Sequence, residues 1–170
     1  MKDFLKLANE RYSVRRYSER PIEGEKLEKI LKAALVAPSS NNSQPQRIFV
    51  IKSKENLEKV RSITPYCFNA PVVLMICYDE KISKNAIDGH DYGFDDAIIA
   101  TTHMMLEAFD IGIGSVWVRG YDKRLLDGLF DLPNNIVSVA LLPLGYPAEN
   151  SKPSPLHSRS IKMDEMVTYL

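Results

Sequence analysis

Between Asp91 and Phe109 the chain contains AIIATTHMML, a stretch whose apolar side chains run almost all the way round a helix. A helix with so little polar face must be covered by other elements and cannot lie on a surface, so it is expected to be central and buried. PVVLMICY (71–78) and NIVSVALLPLG (135–145) make the same demand as strands. Both are continuous apolar runs of strand length, which reads as burial on both faces. A helix and two strands that all need cover restrict the chain to layers packed on a shared sheet.

The remaining segments supply the layers. Residues 2–10 form a short helix with Phe4, Leu5 and Ala8 on one side. EGEKLEKILKAALVA (23–37) is a stronger helix, because Leu27, Ile30, Leu31, Ala34 and Leu35 follow helical spacing before Pro38 stops it. SSNNSQPQ (39–46) is a polar loop, RIFVIK (47–52) a strand, and SKENLEKVRSI (53–63) a helix capped by Ser53. IGIGSVWVRG (111–120) turns into a further strand, and DKRLLDGLF (122–130) is a short helix. Strands and helices do not alternate strictly. The expected class is therefore α+β, a central mixed sheet flanked by helices, with residues 1–170 as one domain. Residues 150–170, rich in Pro and Ser with no apolar period before Met163, read as a C-terminal arm that packs on something else, such as a partner subunit.

Charge and cysteine usage narrow the function. Lys plus Arg equals Asp plus Glu at 22 each, so the chain has no general affinity for nucleic acid or other polyanions. No apolar run reaches the roughly 18–20 residues of a membrane span, and the first ten residues lack a signal-peptide core. Cys67 and Cys77 form no C-x-x-C pair and read as free thiols of a reducing compartment, giving an expectation of a cytoplasmic protein. Phosphate-loop, H-E-x-x-H and G-x-S-x-G motifs are missing, and GIGSVW places Trp117 where a dinucleotide fingerprint needs its third glycine. His90, Asp91, Asp95 and Asp96 could ligate a metal, but no second His or Cys cluster completes a shell, so no metal is expected. Acids at a helix start, favoured by the dipole, explain them better. His103, inside the apolar helix, reads as a core histidine.

Against this neutral background, RYSVRRYSER places Arg11, Arg15, Arg16 and Arg20 within ten residues. In an extended segment alternate side chains point the same way, so Arg11, Ser13 and Arg15 would converge on one anion while Arg16 points away. Two guanidinium forks and a hydroxyl suit a phosphate monoester. A solvated basic face is the alternative on this segment alone. APSSNNSQPQ (37–46) offers backbone N–H groups and amide side chains that could bind the edge of a flat heterocycle, or could be an ordinary polar loop.

RYSVRRY, APSSNNSQP, FNAPVVLMIC, DAIIATTHMMLEAFDIGIGSVWV, LLPLGYPAE and a basic residue in the last segment, taken in that order, resemble the FMN-dependent nitroreductase family in its short, single-domain form. The resemblance implies an intertwined homodimer with FMN at its interface. It puts Arg11, Ser13 and Arg15, with the Tyr12 backbone, at the flavin phosphate and ribityl chain, together with Arg159 from the tail. It lays Pro38, Ser39, Ser40 and Asn42 against the isoalloxazine, typically from the other subunit. Asn69 would reach the pyrimidine edge, and Trp117, Val118, Arg119 and Gly120 would pass beside the ring. Two departures stand out. Gln46 replaces an aromatic residue often found after QP, and His157 replaces a lysine two positions before the tail arginine, where a mostly neutral imidazole weakens the second phosphate cation.

The implied activity is an oxidoreductase that takes hydride from NADH or NADPH and passes electrons to a nitroaromatic, quinone or similar flat acceptor, with ping-pong kinetics. No acid or base side chain is required, so no catalytic residue is named. A flavin-binding or regulatory module without turnover is the alternative, and a patch for phosphorylated or acidic partners is a third reading.

Overall fold

The computed structural model describes residues 3–170. The two apolar runs become the middle of a sheet, and their two-residue period distributes the core. Strand β2 (Val72–Asp79) is buried along all but its last residue, and β4 (Ile136–Gly145) is buried from Ser138 onward. β1 (Gln46–Ile51) flanks β2, and β3 (Gly114–Ser115) flanks β4, giving the order β1-β2-β4-β3. All three pairings are antiparallel. The expected mixed sheet is thus corrected. Among the described residues the parallel contact is the isolated Ser13–Ser115 bridge, because the basic segment runs along β3 instead of joining the sheet as a strand.

Successive side chains of β2 point to opposite faces. Val72, Leu74, Ile76 and Tyr78 pack with Ile30 and Ala34 of α2 (Gly24–Leu35) and with Ala97, Ala100 and Met104 of α4 (Tyr92–Asp110). Val73, Met75 and Cys77 pack on the other side, with Leu57 and Val60 of α3 (Lys54–Ile63) and Leu126 of α5 (Lys123–Leu129). A bulge opposite Ile76 and Cys77 puts one extra residue into β4, between Ser138 and Ala140, so Val139 and Ala140 both face the α2–α4 side. The fold is α+β, with helices on both faces of a central sheet.

The long helix is covered on one side only. Ala97, Ala100, Thr101, Met104 and Ala108 are buried, whereas Thr102 is exposed and His103 and Leu106 are half-buried. They line a groove of about 1070 Å³ with Phe4 and Leu7 of α1 (Phe4–Glu10) and Ala33 and Val36 beside α2. His103 is therefore a groove-wall residue, not a core histidine, its Nδ1–H donating to the Ile99 carbonyl at 2.9 Å. Among the described residues, no helix is long and apolar enough to cross a membrane.

Both cysteines are buried and free. Burial pushes the Cys67 thiol up to about 11, against a smaller opposing pull from Arg61, and pushes Cys77 up to about 12, with Asp127 adding to the rise. The tail carries one further short helix, α6 (Met163–Met166), and leaves Leu156, Ile161, Met163, Met166 and Tyr169 exposed.

Candidate functional site

The basic segment is extended because each end is pinned to a different partner. Val14 N donates to the Ser115 carbonyl at 2.9 Å, and the Val14 side chain is buried against Gly114. Three residues on, Tyr17 bridges Pro147, Ser18 N donates to the Tyr146 carbonyl and Ala148 N to the Arg16 carbonyl. The segment therefore crosses from the β3 edge to the start of the tail. A recess of about 520 Å³ opens there, lined by Ser13, Arg15, Arg16, Lys152 and Ser154 among others.

Arg11 follows the end of α1, and its Nη1 is buried without a hydrogen-bond partner. A buried guanidinium N–H with no acceptor costs free energy unless something meets it, so this donor is available to an acceptor from outside the chain. Arg15 is exposed, and its Nη1 makes only a long 3.3 Å bond to the Ser13 carbonyl. Arg16 also borders the recess, its carbonyl accepting from Ala148 N. Arg20 is withdrawn from the site: it donates to Glu23 at 2.7 Å and stacks over the Tyr146 ring at 3.9 Å. The Tyr146 hydroxyl, with Arg20, holds the Glu23 carboxyl down to about 2.

The tail returns to this region. The Tyr12 hydroxyl lies 3.4 Å from Ser151 Oγ, and its ring meets His157 edge-on with centroids 6.4 Å apart. Arg159, two residues further, is exposed. Lys152, not read as a site residue from the sequence, lines the recess with Arg15 and Arg16. Its tail segment has no period from which to place it.

Tyr17 connects the basic segment to the Asn69 loop. Its ring and Pro71 both press on Gly145, where an added Cβ would lie 2.8 Å from each. Burial first, and the nearby Cys67 second, push its phenol far above the ordinary range. Phe68 and Asn69 both adopt left-handed backbone, φ 50° and 55°. Thr64 Oγ1 donates to the Gly120 carbonyl at 2.7 Å, and an added Cβ on Gly120 would lie 2.8 Å from the Tyr66 ring. Val118 is fixed by two hydrogen bonds with Leu141, and the Trp117 Nε1–H beside it is buried and unpartnered. The fold thus brings Arg11 to Arg15, Asn69 and Trp117 to Gly120 onto contiguous structure.

The 38–42 loop lies elsewhere. Asn41, Asn42 and Gln44 have left-handed φ of 50–53°, the conformation that asparagine tolerates best among residues with a side chain. Ser40 N donates to Asp96 Oδ1 at 2.9 Å, while Ser39 Oγ accepts from Gln44 N. Asp96 anchors the loop to α4, a role not read from the sequence. Phe94, two residues earlier on that helix, instead carries the Arg119 guanidinium at 4.9 Å. Residues two apart on a helix diverge by roughly 200°. No hydrogen bond or ion pair joins the loop to the other group among the described residues.

The other acids of this region are also engaged. Asp91 caps α4 by accepting from Gly93 N, and His90 Nε2 lies 2.8 Å from Asp95. Gln46 Nε2 donates to the Ala34 carbonyl at 3.2 Å, so the residue in place of the usual aromatic caps the end of α2.

Comparison with known proteins gives a consistent result. The profile of the nitroreductase family matches residues 8–66 and 64–146. A relative from Archaeoglobus fulgidus, provisionally named NADH dehydrogenase/NAD(P)H nitroreductase, is 37% identical over 156 residues, covering 88% of each chain. The crystal structure of a nitroreductase family protein from Clostridium difficile superposes with a TM-score of 0.92 at 35% identity, covering 99% of this chain and 98% of that one. A provisionally named nitroreductase from Desulfovibrio desulfuricans, solved in complex with FMN, has a TM-score of 0.85 at 25% identity and covers 100% of this chain and 98% of its own.

Proposed function

The chain belongs to the nitroreductase family, and from that premise we propose that it is an FMN-dependent oxidoreductase taking hydride from NADH or NADPH and reducing a flat nitroaromatic or quinone-type acceptor. The observation that carries the cofactor is a recess lined by Ser13, Arg15, Arg16 and Lys152, on the segment whose Arg11 Nη1 is buried and unpartnered. Cations around a recess with a free buried donor fit the phosphate of FMN, and the Desulfovibrio relative was solved with FMN bound. Bound there, FMN would supply the ring that accepts and returns hydride.

The residues of this chain divide the work of holding it. Arg11 and Arg15, with Ser13 and the Tyr12 backbone, grip the phosphate, and Lys152 and the tail residue Arg159 add charge. Asn69 addresses the pyrimidine edge from a left-handed turn that projects its amide. Trp117 to Gly120, stiffened by the Val118–Leu141 and Thr64–Gly120 hydrogen bonds, form a fixed wall beside the ring. Pro38, Ser39, Ser40 and Asn42 come from a second copy of the chain. Two observations support that homodimer: the loop's separation from the Arg119 side of α4, and the apolar groove along the same helix.

The test is spectroscopic. Purified protein should be yellow, should bleach under anaerobic NADH or NADPH, and should regain colour when a quinone or nitroaromatic is added. Yellow protein that never bleaches with either nucleotide would favour a flavin-binding module without turnover.

A further inference from the structure

Arg119 differs from the other arginines stacked or paired in this molecule. Arg20 also lies over a ring, but Glu23 takes its hydrogen bonds, and Arg47 lies 3.8 Å from Asp79 and donates to two backbone carbonyls. Arg119 has the Phe94 ring at 4.9 Å and, among the described residues, no carboxylate or carbonyl accepting from its guanidinium. A planar guanidinium stacked through its face keeps its N–H donors free in the plane. The stem beneath it is fixed, since Val118 pairs with Leu141, Tyr121 N donates to the Arg119 carbonyl and Thr64 holds Gly120. The side chain itself is exposed, and the half-exposed Tyr66 ring lies against Gly120 next to it. A fork of free donors over the Phe94 ring, on a rigid backbone, matches the end-on geometry of a carboxylate or phosphate carried by a flat molecule.

We propose that Arg119, held in place by Phe94, recognises an anionic oxygen group on a substrate and so sets the specificity of the reductase. This rests on the reading given under Proposed function. Arg119 is the recognising residue, and Phe94 is a positioning residue that acts through it.

The anion has two chemical sources, the acceptor or the 2′-phosphate of NADPH, and the experiment separates them. Absorbance of purified protein establishes flavin occupancy first. Selectivity is then measured as the ratio of kcat/KM for 4-nitrobenzoate over the neutral 4-nitrobenzamide, and separately for NADPH over NADH. Arg119→Gln should lower one of these ratios by about tenfold, the loss expected for one charge-assisted contact. Arg119→Lys keeps the charge without the planar fork and should lose less. Phe94→Leu keeps apolar bulk but removes the ring, and should lower the same ratio, whereas a packing defect alone would slow both members of the pair equally. If Arg119→Gln does not retain flavin, Phe94→Leu supplies the same ratios. A fall in the first ratio assigns the anion to the acceptor, and a fall in the second assigns it to the reductant. Yellow, active variants with both ratios unchanged overturn this proposal and leave the reductase reading intact. Colourless wild-type protein that takes up no FMN overturns both.

Discussion

Val14 leaves no room for a side chain on Gly114: an added Cβ would sit 2.6 Å from Val14 Cγ2 and 2.8 Å from its Cβ. A β-branched neighbour cannot swing aside, because its χ1 is restricted. Gly114→Ala should therefore cost about 1–3 kcal/mol through overpacking, read as a lower urea midpoint at unchanged slope. It should also loosen FMN, since it pushes the basic segment away from β3. Arg11→Ala with Arg15→Ala should act on binding alone, lowering FMN affinity by about 2–4 kcal/mol while circular dichroism and melting of the flavin-free protein stay close to wild type. Flavin occupancy unchanged in that double variant would remove the phosphate assignment. At this scale the sequence was partly legible. The Arg11–Ser13–Arg15 alternation pointed to a cationic cluster, and APSSNNSQPQ to a polar loop of N–H groups and amides, but not to the left-handed backbone of Asn41 and Asn42. Arg20 was not legible, because alternation assumes one flat strand with one partner. Here the segment changes partner between residues 13 and 17, and Arg20 is claimed by Glu23 and Tyr146.

Helix α4 shows the same division among elements. Its first turn holds three neighbours by three side chains: Asp96 the 39–42 loop, Phe94 the Arg119 stem, and Asp95 the preceding loop through His90. The hydrogen bond that His90 Nε2–H donates to Asp95, with Asp88 and Asp91 adding their charge, raises the His90 pKa above its ordinary value. The raised pKa means that the protonated imidazole is the form favoured by the fold. Its contribution is complete below the ordinary histidine pKa, near 6.5, and is lost as pH rises through the raised folded value. An NMR titration should place the His90 midpoint above that of an unstructured histidine, and Asp95→Asn should bring it down. A midpoint unmoved by Asp95→Asn would show that the pair does not form in solution. The existence of nearly all elements was readable from apolar period and caps. The exceptions were α6, which the tail gave no period to place, and the strand expected in 111–120, where only Gly114 and Ser115 pair continuously and Val118 adds an isolated bridge.

For the molecule as a whole, the apolar surface left over is the main fact. The groove along α4, the exposed Leu35 and Val36, and the tail's Leu156, Ile161, Met163, Met166 and Tyr169 amount to more exposed apolar side chain than a single chain needs to show. A homodimer would cover them. Sedimentation should give twice the monomer mass, and removing residues 150–170 should weaken that dimer and release FMN together. A truncated chain with unchanged mass and colour would separate the tail from both roles. The sequence by itself determined the α+β class, the two central strands, the long helix and the cationic segment, because apolar period and local charge are properties of neighbours along the chain. Only the tertiary structure decided that the sheet is antiparallel, that α4 is covered on one side, that Lys152 returns to the arginines and that Arg119 stands on a ring with its donors free. Each of these depends on which distant segments meet, and contacts between residues far apart in the chain leave no period within it.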